Sequence, residues 1–414
     1  MRIDTPARPA TGRFPGSRVV AGCFLILMTT SGLSFYGLAV YLNAFSNEQG
    51  WSLASISLAT TLFFVVGGFA GLMVARVIAK RDVRMVMVGG GLIGGVALAV
   101  LGQVEERWQL YAVYTVFAIG FSAAGLVPVT TVVTRWYVTG RTVALSVAST
   151  GLSVGGIALT PLAKWLIDER GLASSTPILA VVWVLGTVPF ALWMVSADPG
   201  RLGWLPDGER VPDDHIVARP MGVPFDDAVR TRFFRALTVG YTLMMGAQVG
   251  GIQQLVKLAE DRTTPGTATF ATIALAGMSV LARLVGGRVI TGMPMAKVTV
   301  VLGGVQALSL AALAVSHTTV ALFASILVFG ATVGNILMLQ PLLVAERFGV
   351  LDYPRLFSRS QFFSMFGTAG GPLLLGWLYD QAGNYTIPYL VAACCSIAGA
   401  AVLASGGPAT FRDS

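Results

Sequence analysis

Charge is what this sequence has least of. Only 12% of its 414 residues are Asp, Glu, Lys or Arg, about half the share of a soluble domain. Acid is scarcest: no Asp or Glu falls well inside any of the long apolar runs. Cysteine is nearly absent, and Cys23, Cys394 and Cys395 sit in apolar surroundings without metal-ligand spacing, which leaves them as small packing residues. There is no phosphate-cradling loop, no zinc motif and no nucleophile triad, so ATP hydrolysis and enzymatic catalysis are excluded and no cofactor is expected. The formal charge of +8 does not mark a nucleic-acid binder, because the basic residues fall in short gaps between apolar stretches and not on one face.

What is abundant is apolar side chains, 55% of the total, and glycine, at 49 residues. They fall into twelve runs, 19–44, 51–75, 83–102, 110–134, 141–166 and 176–196, then 231–257, 267–291, 296–314, 318–341, 358–378 and 386–404. Most reach the roughly 20 residues that a helix needs to cross hydrocarbon. The alternation of a membrane β-barrel is missing, so helices are the remaining solution. The first run lacks a small-residue cleavage site and is expected to stay in the mature protein. The predicted fold class is therefore all-α, a membrane protein of twelve transmembrane helices in two six-helix bundles. A segment 1–18 precedes bundle 19–196, a connection 197–230 leads to bundle 231–404, and a tail 405–414 follows.

Placing the N-terminus in the cytoplasm puts 22 basic residues inside and five outside, with Arg283 alone within a span. This fits the positive-inside rule with both ends cytoplasmic, and the lipid bilayer is the expected surrounding. Connection 197–230 holds Pro199, Pro206, Pro212, Pro220 and Pro224 among seven acids and four arginines, and reads as a loop with room for a short surface helix. Arg76-Val77-Ile78 after span 2 resembles Arg288-Val289-Ile290 after span 8, as parallel repeats would.

Arg283, in Leu281-Ala282-Arg283-Leu284, carries the argument for function. Arginine among lipid costs at least about 2.5–3.5 kcal/mol, and it does not escape by losing its proton. Two readings stay open: the guanidinium fork holds a substrate carboxylate, or it snorkels to the membrane surface. Ser34, Phe35, Tyr36 and Tyr41 in span 1, Gln248, Gln253 and Gln254 in span 7, and Asn335 and Gln340 in span 10 offer polar or aromatic groups for a site, or for ordinary helix packing. Gly67-x-x-x-Gly71 and Gly151-x-x-x-Gly155 permit close backbone approach. Gly370-Gly371-Pro372 is a place where a helix could loosen. His317, Trp51 and Tyr114 read as loop, interfacial or packing residues.

Several stretches together resemble the major facilitator superfamily, and more narrowly its monocarboxylate porter and bacterial oxalate/formate-antiporter-like group. They are Phe35-Tyr36-Gly37-Leu38 leading to Gly50-Trp51-Ser52, Arg135-Trp136-Tyr137 with Arg141, and Gly151 to Gly156. Ala282 to Arg288, and Gly371 to Gly376 with Tyr379-Asp380, complete the set. The resemblance implies alternating access by two rocking bundles, with Arg283 as carboxylate anchor and span 1 aromatics lining the same cavity. That favours Tyr36 and Asn335, with Tyr41, Gln253 and Ser279 as further substrate contacts. It also implies a small organic anion as substrate and a bacterial inner membrane location, while the two-bundle architecture leads to the expectation of a monomer without an obligate protein partner. Two departures stand out. Ala79 occupies the place of an acid after span 2, with Thr291 at the matching place after span 8. Ser279 stands where proton-coupled members have an Asp four residues before the arginine, and span 1 has no lysine. A carboxylate–lysine proton relay is therefore missing. The competing expectations are an exporter of amphipathic or aromatic compounds and a membrane sensor without turnover.

Overall fold

The computed structural model describes residues 13–51, 53–208, 221–263 and 265–407. Its helices are α1 (Gly16–Thr30), α2 (Gly37–Gln49), α3 (Leu53–Ile78), α4 (Val83–Leu101), α5 (Arg107–Ala124), α6 (Leu126–Trp136), α7 (Arg141–Leu185) and α8 (Val188–Trp193). They continue with α9 (Phe225–Arg230), α10 (Arg232–Arg262), α11 (Pro265–Val289), α12 (Met295–Val315), α13 (Thr319–Phe348), α14 (Tyr353–Ala382) and α15 (Thr386–Ser405). A π-helical segment, Ser31–Phe35, joins α1 to α2. Among the described residues there is no β-strand, only an isolated bridge between Gly222 and Gly349.

Nine segments among the described residues are long and apolar enough to cross a membrane, and one of them, Arg141–Trp193, has length for two crossings. α10 and α14 have the length but carry more polar side chains, including buried Gln248 in α10 and buried Ser360 and Ser364 in α14. The connection predicted between spans 5 and 6 is almost entirely helical. Gly171 alone departs, at φ 74° and ψ 166°, a conformation that favours glycine. Glu48, at the end of α2, accepts the Leu172 N–H at 3.0 Å and so satisfies a donor where the second rod begins.

The chain divides into two compact units, one of residues 1–221 with 350–358 and the other of 222–349 with 359–414. Each has its own apolar core. In the first, Tyr41, Phe45, Phe63, Tyr114, Phe117 and Trp183 cluster. In the second, Leu255, Leu310, Phe329, Leu375 and Tyr389 do the same. Inside each unit the pairings correspond. In the first, α3 and α4 both pack on α5, and α4 packs on α7; in the second, α11 and α12 both pack on α13, and α12 packs on α15. This is the repeat that the paired Arg-Val-Ile stretches announce.

Glycine brings the first and fifth rods together in both units. A Cβ on Gly151 would strike the Phe24 carbonyl oxygen, and one on Gly155 that of Met28, so α1 and α7 touch through backbone. In the other unit, Gly367 and Gly371 of α14 meet the Thr242 and Gly246 carbonyls of α10 in the same way. Two expectations are corrected here. Gly71 has nothing within 4 Å of its would-be Cβ, so Gly67-x-x-x-Gly71 is not a close-approach face. Gly370-Gly371-Pro372 does not open the helix: α14 runs unbroken through Pro372, because Gly371 clamps it against α10 and a closely packed neighbour supports the proline.

Gly155→Val is expected to cost on the order of 1–3 kcal/mol through overpacking. Gly370→Ala, with open space around it, should leave stability unchanged or slightly raised. Thermal unfolding in detergent distinguishes the two.

Candidate functional site

The first unit contributes a polar irregularity within the first rod. The π turn, closed by the Tyr36 N–H on the Ser31 carbonyl at 3.1 Å, displaces the helical ladder, and such turns concentrate at functional sites. Its carbonyls are held by side chains. The Tyr41 hydroxyl donates to Leu33 O at 2.8 Å, and Thr160 donates to Gly32 O at 3.1 Å. Ser31 in turn donates to the Leu152 carbonyl at 3.0 Å. Tyr41 is fully buried in this duty. Tyr36 follows the π turn, 38% exposed, its ring edge-on to Phe35 at 5.0 Å and seated on Gly156, where a Cβ would come within 2.8 Å of the ring.

Arg283 lies in the second unit, 1% exposed, so it does not snorkel. Leu275, Ser279, Arg283, Gly287 and Ile290 recur on the buried face of α11, while Leu281, Val285 and Val289 are exposed on the other. The buried face meets α13 through Gly330 and Gly334. A Cβ at Gly330 would come within 2.7 Å of Leu275 O, and one at Gly334 would strike Ser279 O. That proximity lets the Arg283 Nε donate to Gly334 O at 2.9 Å, which fixes the guanidinium plane. Asn335, the next residue, donates from Nδ2 to Ala282 O and Ala331 O, both at 3.0 Å.

On these helices, next to the turn that holds Arg283, two buried atoms have no hydrogen-bond partner, Ser279 Oγ and Asn335 Oδ1. Ser279 precedes Arg283 by one turn, and Asn335 Oδ1 lies against Gly286 so closely that a Cβ there would collide with it. A buried polar atom left unpaired costs about 1–3 kcal/mol and asks for an explanation, of which a bound ligand is one. Arg283 and Ser279 thus share one buried face of α11, while Asn335 lies against Gly286 and lines the groove between α11 and α12. Gln253 is exposed on α10. Its neighbour Gln254 accepts from Tyr385, and buried Gln340 donates to Ser360 and Ser364 at 2.8 and 3.0 Å, so these two amides tie helices together. Buried Gln248, whose Oε1 is also unpartnered, is the span 7 amide that the choice of Gln253 overlooked. Gly330-x-x-x-Gly334 is the sequence signal for the α11–α13 contact, and it was legible.

Against this geometry, a family model described as Major Facilitator Superfamily matches residues 23–349. The chain belongs to the major facilitator superfamily. The monocarboxylate transporter 13 of Rattus norvegicus is 22% identical over 361 residues, 84% of this chain and 79% of the rat protein. Among solved structures, the fucose:proton symporter FucP of E. coli superposes with a TM-score of 0.71 at 15% identity, covering 95% of this chain and 98% of that one. The human organic anion transporter MFSD10 (TETRAN) gives 0.70 at 15%, covering 94% and 99%. Like its superfamily relatives, the chain is a multi-pass membrane transporter.

Three residues beyond Ala79, where the family resemblance leads one to expect an acid, stands Asp82. Asp82 caps α4 by accepting the Arg84 N–H at 3.0 Å, and its carboxylate pairs with Arg84 at 2.9 Å and Arg201 at 2.6 Å. Nearby Asp207 accepts from the N–H groups of Val138, Thr139 and Gly140 at 2.8–3.0 Å. These bonds pin residues 198–208 to the first unit. Partial burial pushes the Asp82 carboxyl up, but the hydrogen bonds and charge of Arg84 and the bond from Arg201 outweigh it and hold its pKa below the ordinary 3.8. A depressed carboxylate adds stability above that ordinary value and loses it as pH falls through the lower folded one. Asp82→Asn should therefore destabilise the protein at pH 7 by on the order of 1 kcal/mol or less for a partly exposed cluster. The gap to the unsubstituted protein should close only below about pH 4, as thermal unfolding at a series of pH values would show.

Proposed function

We propose that this transporter carries small organic anions, monocarboxylates in the first instance, by alternating access, as a secondary active or facilitative carrier of a bacterial inner membrane with both termini in the cytoplasm. The observation that carries the reading is the buried Arg283, oriented by Gly334 O one turn from the unpartnered Ser279 Oγ. A carboxylate suits this pair, because its oxygens accept from guanidinium and hydroxyl. The names of the rat monocarboxylate transporter and the human organic anion transporter agree with an anionic cargo. Tyr36 as a further contact rests on the family resemblance.

The test is uptake into liposomes across a panel of labelled carboxylates and one neutral amphiphile, with equal incorporation and folding verified. Arg283→Gln should reduce carboxylate flux at least about tenfold, the loss of one charge-assisted hydrogen bond. Arg283→Lys should recover only part of it, because an ammonium lacks the planar fork. Neutral-amphiphile flux that survives Arg283→Gln, with no carboxylate flux in either protein, would replace this reading with the amphiphile exporter.

A further inference from the structure

The exposed side of α11 does not close on its neighbour. Leu281, Val285 and Val289 of α11 and Val298, Val301 and Leu302 of α12 wall a groove of about 710 Å³, and Leu281, Val285, Val289 and Val301 are each more than half exposed. From Met278 to Val289 the groove follows α11 for about 16 Å at the helical rise. That is the depth of one leaflet's hydrocarbon, half of about 30 Å. Its lining is apolar except at two points. Lys297, at the end where α11 turns into α12, is the one charged residue of the lining. It is exposed and, among the described residues, makes no ion pair. Asn335 reaches the inner wall over Gly286, with its Oδ1 unpartnered.

A greasy channel of leaflet depth with a single cation at its rim matches an acyl chain below an anionic headgroup. Basic side chains at such rims attract anionic lipid. We propose that this groove seats one anionic phospholipid, its phosphate on Lys297 and an acyl chain along α11 and α12. The seat adjoins the anchor of Arg283, because Asn335 holds Ala282 O while Gly334 holds Arg283. A lipid in the groove therefore bears on the amide that positions the arginine's own helix turn, and lipid composition is a means of tuning transport.

The experiment is native mass spectrometry of the full chain after exchange into mixed phosphatidylglycerol and phosphatidylcholine micelles. Lipid retention needs no transport, so its outcome is separate from that of the carboxylate assay. The unsubstituted protein should retain phosphatidylglycerol about fivefold over phosphatidylcholine, the effect of one basic side chain at an anionic surface. Lys297→Gln should bring that ratio to about one. Val285→Trp, which fills the groove from an exposed position, should remove the bound lipid, and Lys164→Gln, an exposed lysine of the other unit, should change nothing. Equal retention of the two lipids by the unsubstituted protein would overturn the proposal. So would undiminished phosphatidylglycerol on both Lys297→Gln and Val285→Trp with folding verified by unfolding temperature. Displacement of the lipid by inorganic phosphate alone, with Val285→Trp still binding, would reduce the seat to a simple anion site and overturn it likewise.

Discussion

Hydrocarbon offers a backbone carbonyl no water to turn to, and every irregularity in this chain is arranged around that fact. Where the first rod slips into a π turn, its carbonyls are taken by Tyr41 and Thr160. Where α12 ends, Arg262 donates to the Leu313, Ala314 and Ser316 carbonyls at 2.5–2.9 Å, closing the last turn from a neighbouring helix. Where glycines bring two helices into backbone contact, Gly334 O accepts from Arg283. Side chains follow the rule less strictly: Gln306 donates to Met244 O and Ser396 Oγ, while its own Oε1 is left without a partner.

Against that background the exceptions acquire meaning. Ser279 Oγ and Asn335 Oδ1 are unpaired on the two helices that also hold the one arginine placed within a span. A hydroxyl could have rotated to a carbonyl of its own helix, as Thr299 does toward Met295 O at 2.8 Å. Neighbouring Gly334 instead fills the space beside Ser279 with backbone. A ligand that relieves this cost during the working cycle is one account of it, and on the reading proposed above Arg283 sets the sign of that ligand.

Much of this was written in the sequence in the plainest code, apolar length. The twelve rods follow the predicted runs because lipid selects on little else, and the Gly151 and Gly155 contact follows from residue size. Features governed by three-dimensional proximity were less legible. Gly67-x-x-x-Gly71 has the same spacing as Gly151-x-x-x-Gly155, yet no helix lies over Gly71; spacing names a face without naming its neighbour. The π turn has no signature in Ser31-Gly32-Leu33-Ser34-Phe35, since one displaced hydrogen bond leaves hydropathy unchanged. Gln253 and Gln248 look alike in the sequence, but a five-residue offset on a 3.6-residue helix turns them to different sides, one exposed and one buried.

The placement of Ser279 carries the argument to mechanism. A proton-coupled anion carrier needs a group near the substrate whose charge changes with protonation, and a carboxylate one turn before the arginine would serve. Serine at that position does not titrate, and no acid stands well inside any span to take its place. On the reading proposed above, Ser279 supplies no proton to accompany the anion bound at Arg283. A cycle in which one anion leaves as another binds asks for no titrating group at that position, and it is the form of transport that this reading favours.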